Sequence, residues 1–190
     1  MNKTVFIIHG SFGHPKENWF PWLKNELEKL GCKVFVPKFP TPENQSLENW
    51  LKVFKDYEKH LGENTIMVGH SIGSAFILNV LEKLNHPIKA AFLVAGFIGK
   101  LNSEEVDEIN KSLAEKEFDW NKIKENCRQF ALYQSNNDPY VPVKKGKELE
   151  GKLGAKLTLV KNAGHFNEKA GYTKFELLLE DIQKVLENKT

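Results

Sequence analysis

The stretch that most constrains this chain is Thr65-Ile66-Met67-Val68-Gly69-His70-Ser71-Ile72-Gly73. A short β-branched and apolar run ends in Gly-x-Ser-x-Gly, and a helix-compatible stretch, 74–84, follows at once. A strand that turns into a helix over so few residues needs a sharp bend, and the residue at its tip is held in a strained backbone conformation. Glycines two positions to either side remove side chains that would collide there. A serine so placed is presented at the carboxyl end of a strand. The same five residues also suit an ordinary tight turn, so the rest of the chain must decide between a reactive serine and a structural one.

Read in order, the chain alternates buried strands with helices. Residues 4–8 are a continuous apolar run of the kind buried on both faces of a parallel sheet. They end in a glycine-punctuated loop, His9-Gly10-Ser11-Phe12-Gly13-His14-Pro15. A helix opens near Glu17 or Asn18, carries Trp19, Trp22, Leu23, Leu27 and Leu30 at helical spacing, and closes at Gly31. A second strand over 33–36 stops at Pro37, and three prolines make 37–42 extended. Ser46 caps a helix that reaches Leu61. After the 65–73 stretch, strands are expected at 88–94, 129–134 and 155–160, with helices at 141–153 and from about 167 to 186. Residues 100–128 are charged and weakly periodic, read as one or two short helices over the edge of a cleft. This pattern predicts one α/β domain over 1–190, a three-layer α/β/α sandwich with a parallel sheet of about six strands and no large cap. Sites in such sheets lie beyond the carboxyl ends of the strands.

Composition narrows the partners. All but one of the 27 basic residues are lysine, Arg128 being the exception, and the formal net charge is +2. Sequence readers of nucleic acid rely on bidentate arginines, so a nucleic-acid partner is not expected. Cys32 and Cys127 form neither a CxxC pair nor a disulfide framework, which suits a reducing compartment. The first apolar run is too short for a signal segment or a membrane span. A cytoplasmic location without membrane attachment follows as an expectation. No metal cluster, GxxxxGK[ST] loop or dinucleotide fingerprint is present, and no cofactor is expected.

A serine hydroxyl is a weak nucleophile unless a base takes its proton and a third group orients that base. At a nucleophile elbow the order along the chain is serine, acid, histidine. Of the six histidines only His86 and His165 follow Ser71, and His86 ends a helix before Pro87. His165 follows a strand in a Gly-His loop. Of Asp107, Asp119 and Asp138, only Asp138 follows a strand, in Ser135-Asn136-Asn137-Asp138-Pro139. Elimination leaves Ser71 as nucleophile, His165 as base and Asp138 as orienter. An oxyanion hole would draw on the N–H of Ile72 and on the 9–13 loop, with Ser11 the first choice and Phe12 the second. His14, Trp19, His70 and Phe166 are candidate pocket residues, although aromatics at such spacings serve cores more often.

Together His9-Gly10, Gly69-His70-Ser71-Ile72-Gly73, Asn137-Asp138-Pro139 and Gly164-His165-Phe166 resemble the α/β-hydrolase fold. More narrowly, the chain resembles the small serine hydrolases related to retinoblastoma-binding protein nine. The resemblance covers nearly the whole chain. It implies a six-stranded parallel sheet, a Ser–Asp–His triad at Ser71, Asp138 and His165, and hydrolysis of small ester or amide substrates. It names no natural substrate and no protein partner. The rival reading is a binding or scaffolding protein on the same fold with an incidental serine. A third is acyl transfer or a haloperoxidase-like side activity at the same residues.

Overall fold

The structure, a computed structural model, describes residues 3–187. Six strands form one sheet: β1 (Thr4–Ile8), β2 (Lys33–Phe35), β3 (Thr65–His70), β4 (Ala90–Val94), β5 (Phe130–Ser135) and β6 (Leu157–Val160). All pairings are parallel, in the order β2-β1-β3-β4-β5-β6. The helices are α1 (Phe20–Lys29), α2 (Leu47–Phe54), α3 (Ile72–Lys83), α4 (Glu104–Ala114), α5 (Trp120–Glu125), α6 (Val143–Leu153) and α7 (Glu176–Glu187).

Strand residues alternate between the two faces because successive side chains of a strand point oppositely. Phe6, Ile8, Met67, Ala91, Leu93 and Leu132 pack with α2 to α6. Val5, Ile7, Ile66, Val68, Phe92 and Tyr133 pack with α1 and α7. Both faces are therefore covered, which explains why the central strands read as unbroken apolar runs. Helix α3 is buried along its whole length from Ile72 to Leu81. It is mostly apolar on every side because it lies between the sheet and the helices α4 and α5, and its buried Ser74 and Asn79 hydrogen-bond to backbone carbonyls. Burial pushes the Cys127 thiol up to about 12 and raises that of Cys32, so both act as small apolar residues.

Several expected boundaries shift. Helix α1 begins only at Phe20, because Asn18 adopts φ 52° and Trp19 occupies the cap position. Helix α2 ends at Phe54 and continues to His60 as a 3-10 turn. Strand β4 starts at Ala90, and Ile88 contributes only an isolated bridge to Cys127. The last helix starts at Glu176 instead of near 167. A 3-10 turn at Glu168–Ala170 stops at Gly171, whose φ of 83° breaks the helical path.

The strand order reverses direction between β1 and β3. One crossover from β1 goes outward to β2, and later ones go the other way. Loops leaving two such strands diverge and open a crevice at their carboxyl ends. The Gly10 loop leaves β1 there, and Ser71 leaves β3.

Candidate active site

Ser71 sits between β3 and α3 at φ 56° and ψ −126°, a region that side-chain-bearing residues rarely occupy. The surroundings leave it no alternative. A Cβ on Gly69 would stand 2.8 Å from the backbone of Gly73, and one on Gly73 would stand 2.6 Å from the Ile8 carbonyl oxygen. The two glycines thus let the turn close on itself and press against β1. A Cβ on Gly10 would lie 3.0 Å from Ser71 Cβ and 3.5 Å from its Oγ, so the β1 loop passes directly beside the serine hydroxyl.

Asp138 and His165 meet across the ends of β5 and β6. His165 Nδ1 lies 2.8 Å from Asp138 Oδ2; the Asp138 side chain is fully buried and that of His165 is 11% exposed. The other carboxylate oxygen, Oδ1, accepts the N–H of Tyr140 at 2.9 Å and of Val141 at 3.0 Å. One oxygen therefore builds the turn and the other orients the imidazole. A carboxylate at Nδ1 keeps the proton there, so Nε2 is the lone-pair nitrogen. Among the described residues Nε2 has no partner, and Ser71 Oγ forms no hydrogen bond with the ring. The His165 ring is 4.7 Å from that of His70, the residue before Ser71, and 5.1 Å from that of Tyr140.

Sequence reasoning missed how these two loops are joined. Ser135, Asn136 and Asn137 read only as turn residues. Their side-chain oxygens accept three consecutive backbone N–H groups: Asn136 Oδ1 from Asn162 at 2.7 Å, Ser135 Oγ from Ala163 at 3.0 Å, and Asn137 Oδ1 from Gly164 at 2.8 Å. Ser135 Oγ also donates to Asn137 Oδ1 at 2.7 Å. The acid loop thereby holds the histidine loop along its length. Small polar residues in a row were the only signal, and it does not distinguish a turn from a latch.

The candidate pocket residues have other places. Trp19 and Phe166 are fully buried among Phe20, Phe175 and Tyr172. Trp19 Nε1 donates to the Phe166 carbonyl at 3.0 Å, and His70 Nε2 lies 2.8 Å from the His165 carbonyl. Two successive carbonyls of the histidine loop are thus held from behind, and these rings pack in the core rather than lining an open pocket. A carbonyl accepts only, so His70 Nε2 carries a proton. Burial, reinforced by the neighbouring His165, pushes the His70 pKa down to about 3. His14 is exposed beside Glu17, its Nδ1 accepting the Lys16 N–H. Asn18 and Glu168 add a reciprocal pair, each side chain accepting the other's backbone N–H at 3.0 Å.

The two candidate oxyanion donors on the β1 loop separate clearly. Phe12 donates its N–H to Thr41 Oγ1 at 2.7 Å and is therefore engaged. The Ser11 N–H has no acceptor among the described residues. Ile72 opens α3, where the first N–H groups lack helical partners, and the positive end of that helix lies at Ser71. His9, behind this loop, is buried and neutral. Its Nε2 accepts the Phe39 N–H at 3.0 Å, which places its proton on Nδ1, 2.8 Å from the Gly10 carbonyl, and burial lowers its pKa.

A six-stranded parallel sheet with a strained serine at the β3–α3 turn is an α/β-hydrolase fold. Solved structures of that fold align along the chain, among them Est1E of Butyrivibrio proteoclasticus, which covers 98% of this chain and 89% of its own with a TM-score of 0.74 at 15% identity. A model of the serine hydrolase family matches residues 5–184, and the chain belongs to that family. It is 33% identical to YdeN of Bacillus subtilis strain 168 over 193 residues, spanning the whole of both chains. The crystal structure of YdeN superimposes with a TM-score of 0.92, covering 98% of this chain and 100% of that one. The rat serine hydrolase RBBP9 is 30% identical over 169 residues, covering 88% of this chain and 86% of its own. No helix among the described residues is long and apolar enough to cross a membrane.

Proposed function

We propose that this hydrolase cleaves small carboxylic esters by acyl transfer through Ser71. His165 Nε2 removes the hydroxyl proton as Oγ attacks the carbonyl carbon. Asp138 holds the imidazole and stabilises its charged form. The negative oxygen of the tetrahedral intermediate is received by the N–H groups of Ile72 and Ser11. His165 then protonates the leaving alcohol. Water, activated by the same imidazole, hydrolyses the acyl-enzyme and regenerates Ser71.

One observation carries this reading. Among the described residues, the Asp138–His165 pair leaves Nε2 without a partner at the end of the sheet where Ser71 is held in a strained turn. A purely structural turn has no need of an adjacent buried acid–imidazole pair, so the scaffolding alternative is disfavoured. The Ser71–His165 contact would form with substrate in place, since catalytic hydrogen bonds often tighten only then. Phe12 and Tyr140, both more than half exposed, stand on the Gly10 and His165 sides of the serine and favour a short or medium apolar acyl chain. A small amide is the second substrate class.

The test is labelling with a fluorophosphonate probe, comparing wild type with Ser71→Ala, followed by p-nitrophenyl esters of increasing chain length. Labelling of wild type alone, with turnover highest at short chains, is expected. Equal labelling of both proteins, or none of either, overturns the proposal.

A further inference from the structure

Segments outside the Ser71, His165 and Asp138 arrangement converge on the loop that follows β1. Gln45 lies in the connection before α2. Its amide nitrogen is 2.9 Å from Ser11 Oγ, 2.8 Å from Asn110 Oδ1 and 3.1 Å from the Ile109 carbonyl oxygen. Its carbonyl oxygen accepts from Thr41 Oγ1 at 2.6 Å, and Thr41 Oγ1 accepts the Phe12 N–H at 2.7 Å. Ser11 Oγ donates to Asn110 Oδ1 at 2.7 Å, and Asn110 Nδ2 donates to the Val106 carbonyl at 2.8 Å.

These partners determine the orientation of the Gln45 amide. Turned over, its oxygen would face the Ile109 carbonyl and Asn110 Oδ1, both of which only accept. In the orientation adopted, donation runs one way, from the Phe12 N–H through the Thr41 hydroxyl into Gln45. It continues from Gln45 through the Ser11 hydroxyl into Asn110 on α4. Aligned bonds of this kind reinforce one another away from water, and Asn110 is buried. No member titrates near neutral pH, so the network holds its form across that range.

Its geometric effect falls on a single peptide group. Phe12 has φ 58°, a value that a bulky residue keeps only when its surroundings impose it. Thr41 grips the Phe12 N–H, and Gln45 with Asn110 grips the Ser11 hydroxyl. The Ser11 N–H between them has no acceptor among the described residues, in a loop that touches Ser71 at Gly10.

We propose that Gln45 is a positioning residue that presents the Ser11 N–H to the oxyanion, with Thr41 and Asn110 as its two anchors. This inference rests on the reading of Ser71 as the nucleophile. The chemistry needs it because an oxyanion donor acts only when aimed at the place where charge develops, and a flexible loop donor is not held there. It also gives α4 a role. The charged segment after β4 supplies an amide anchor to the opposite loop.

The test compares Gln45→Leu, Thr41→Val and Thr41→Ser with wild type on p-nitrophenyl acetate, with thermal midpoints measured on the same samples. Gln45→Leu and Thr41→Val should lower kcat by roughly 10- to 100-fold with KM changed about twofold or less, short of the loss from deleting a donor outright. Thr41→Ser, which keeps the hydroxyl, should retain wild-type kcat within about twofold. A merely structural role would lower the midpoint and leave kcat per folded molecule intact. If Gln45→Leu does not fold, the near-isosteric Thr41 pair decides. Wild-type kcat in Thr41→Val, or an equal loss in Thr41→Ser, overturns the inference while the esterase reading stands. A wild type that neither hydrolyses the ester nor takes the fluorophosphonate removes both.

Discussion

Two sides of the same crevice are built by different means. On one side, Asp138 and His165 follow β5 and β6, and the ties between their loops run mostly between neighbouring strand ends. On the other, the Ser11 loop after β1 is held by Thr41 and Gln45, from the connection between β2 and α2, and by Asn110 on α4. The first side carries an ionisable pair with the acid fully buried. The network on the second consists of hydroxyls and amides. An acid–base pair gains from burial and charge, which hold its proton on a chosen nitrogen. An oxyanion donor needs only direction, and a neutral network supplies direction without placing a competing charge beside the developing one.

The largest expected effect falls on Ser71, which both sides serve in the proposed mechanism. Ser71→Ala should lower kcat by about 10⁴-fold or more and abolish fluorophosphonate labelling. Asp138→Asn breaks the ionisable side alone. Its amide oxygen can still accept the Tyr140 and Val141 N–H groups, so the fold should persist with the imidazole in the wrong tautomer. A loss in kcat of roughly 10³- to 10⁴-fold is expected, and a loss under tenfold would detach Asp138 from the chemistry. The Gln45 and Thr41 variants probe the neutral side and should cost less.

Asn137→Ala sharpens the contrast further. It leaves the Gly164 N–H without its acceptor and loosens the histidine loop without touching Asp138. A fall in kcat of order tenfold is expected from the displaced imidazole. Asn137→Asp keeps the acceptor and should lose less; equal losses in the two variants would contradict the latch.

The smallest effect is on stability. The folded protein refuses a proton on His70 down to about pH 3, while the unfolded chain takes one up near 6.5. The unfolded state therefore binds more protons in that window, and stability falls as pH drops through it, by up to about 1.4 kcal/mol per pH unit. Above pH 6.5 the contribution is fully present. His9, also lowered by burial, adds in the same direction. His70→Gln, which can still donate to the His165 carbonyl, should unfold in urea with a shallower dependence on pH between 6.5 and 5. An unchanged slope would show that His70 does not set it.

Much of the fold was legible because parallel strands buried on both faces leave continuous apolar runs, and the helices between them carry their own punctuation. The candidate triad residues were legible for a related reason. Each follows a strand, and the order serine, acid, histidine leaves one assignment by elimination. The helix ends were less so. Asn18 and Gly171 take positive φ values that delay α1 and α7, and nothing local at Asn18 announces that choice.

The sequence by itself determined the turn at Ser71, since Gly69 and Gly73 are needed wherever a strand bends so sharply into a buried helix. It also determined that an acid and a histidine would lie at the same end of the sheet as that serine. Only the tertiary structure decided what holds them. Trp19, His70 and Phe166 turned out to brace the histidine loop from the core, and Gln45 to bridge Ser11 and Asn110, 34 and 65 residues away. Hydrogen bonds between residues so distant in the chain follow no period and leave no pattern to read. They exist only once the strands have brought their loops together.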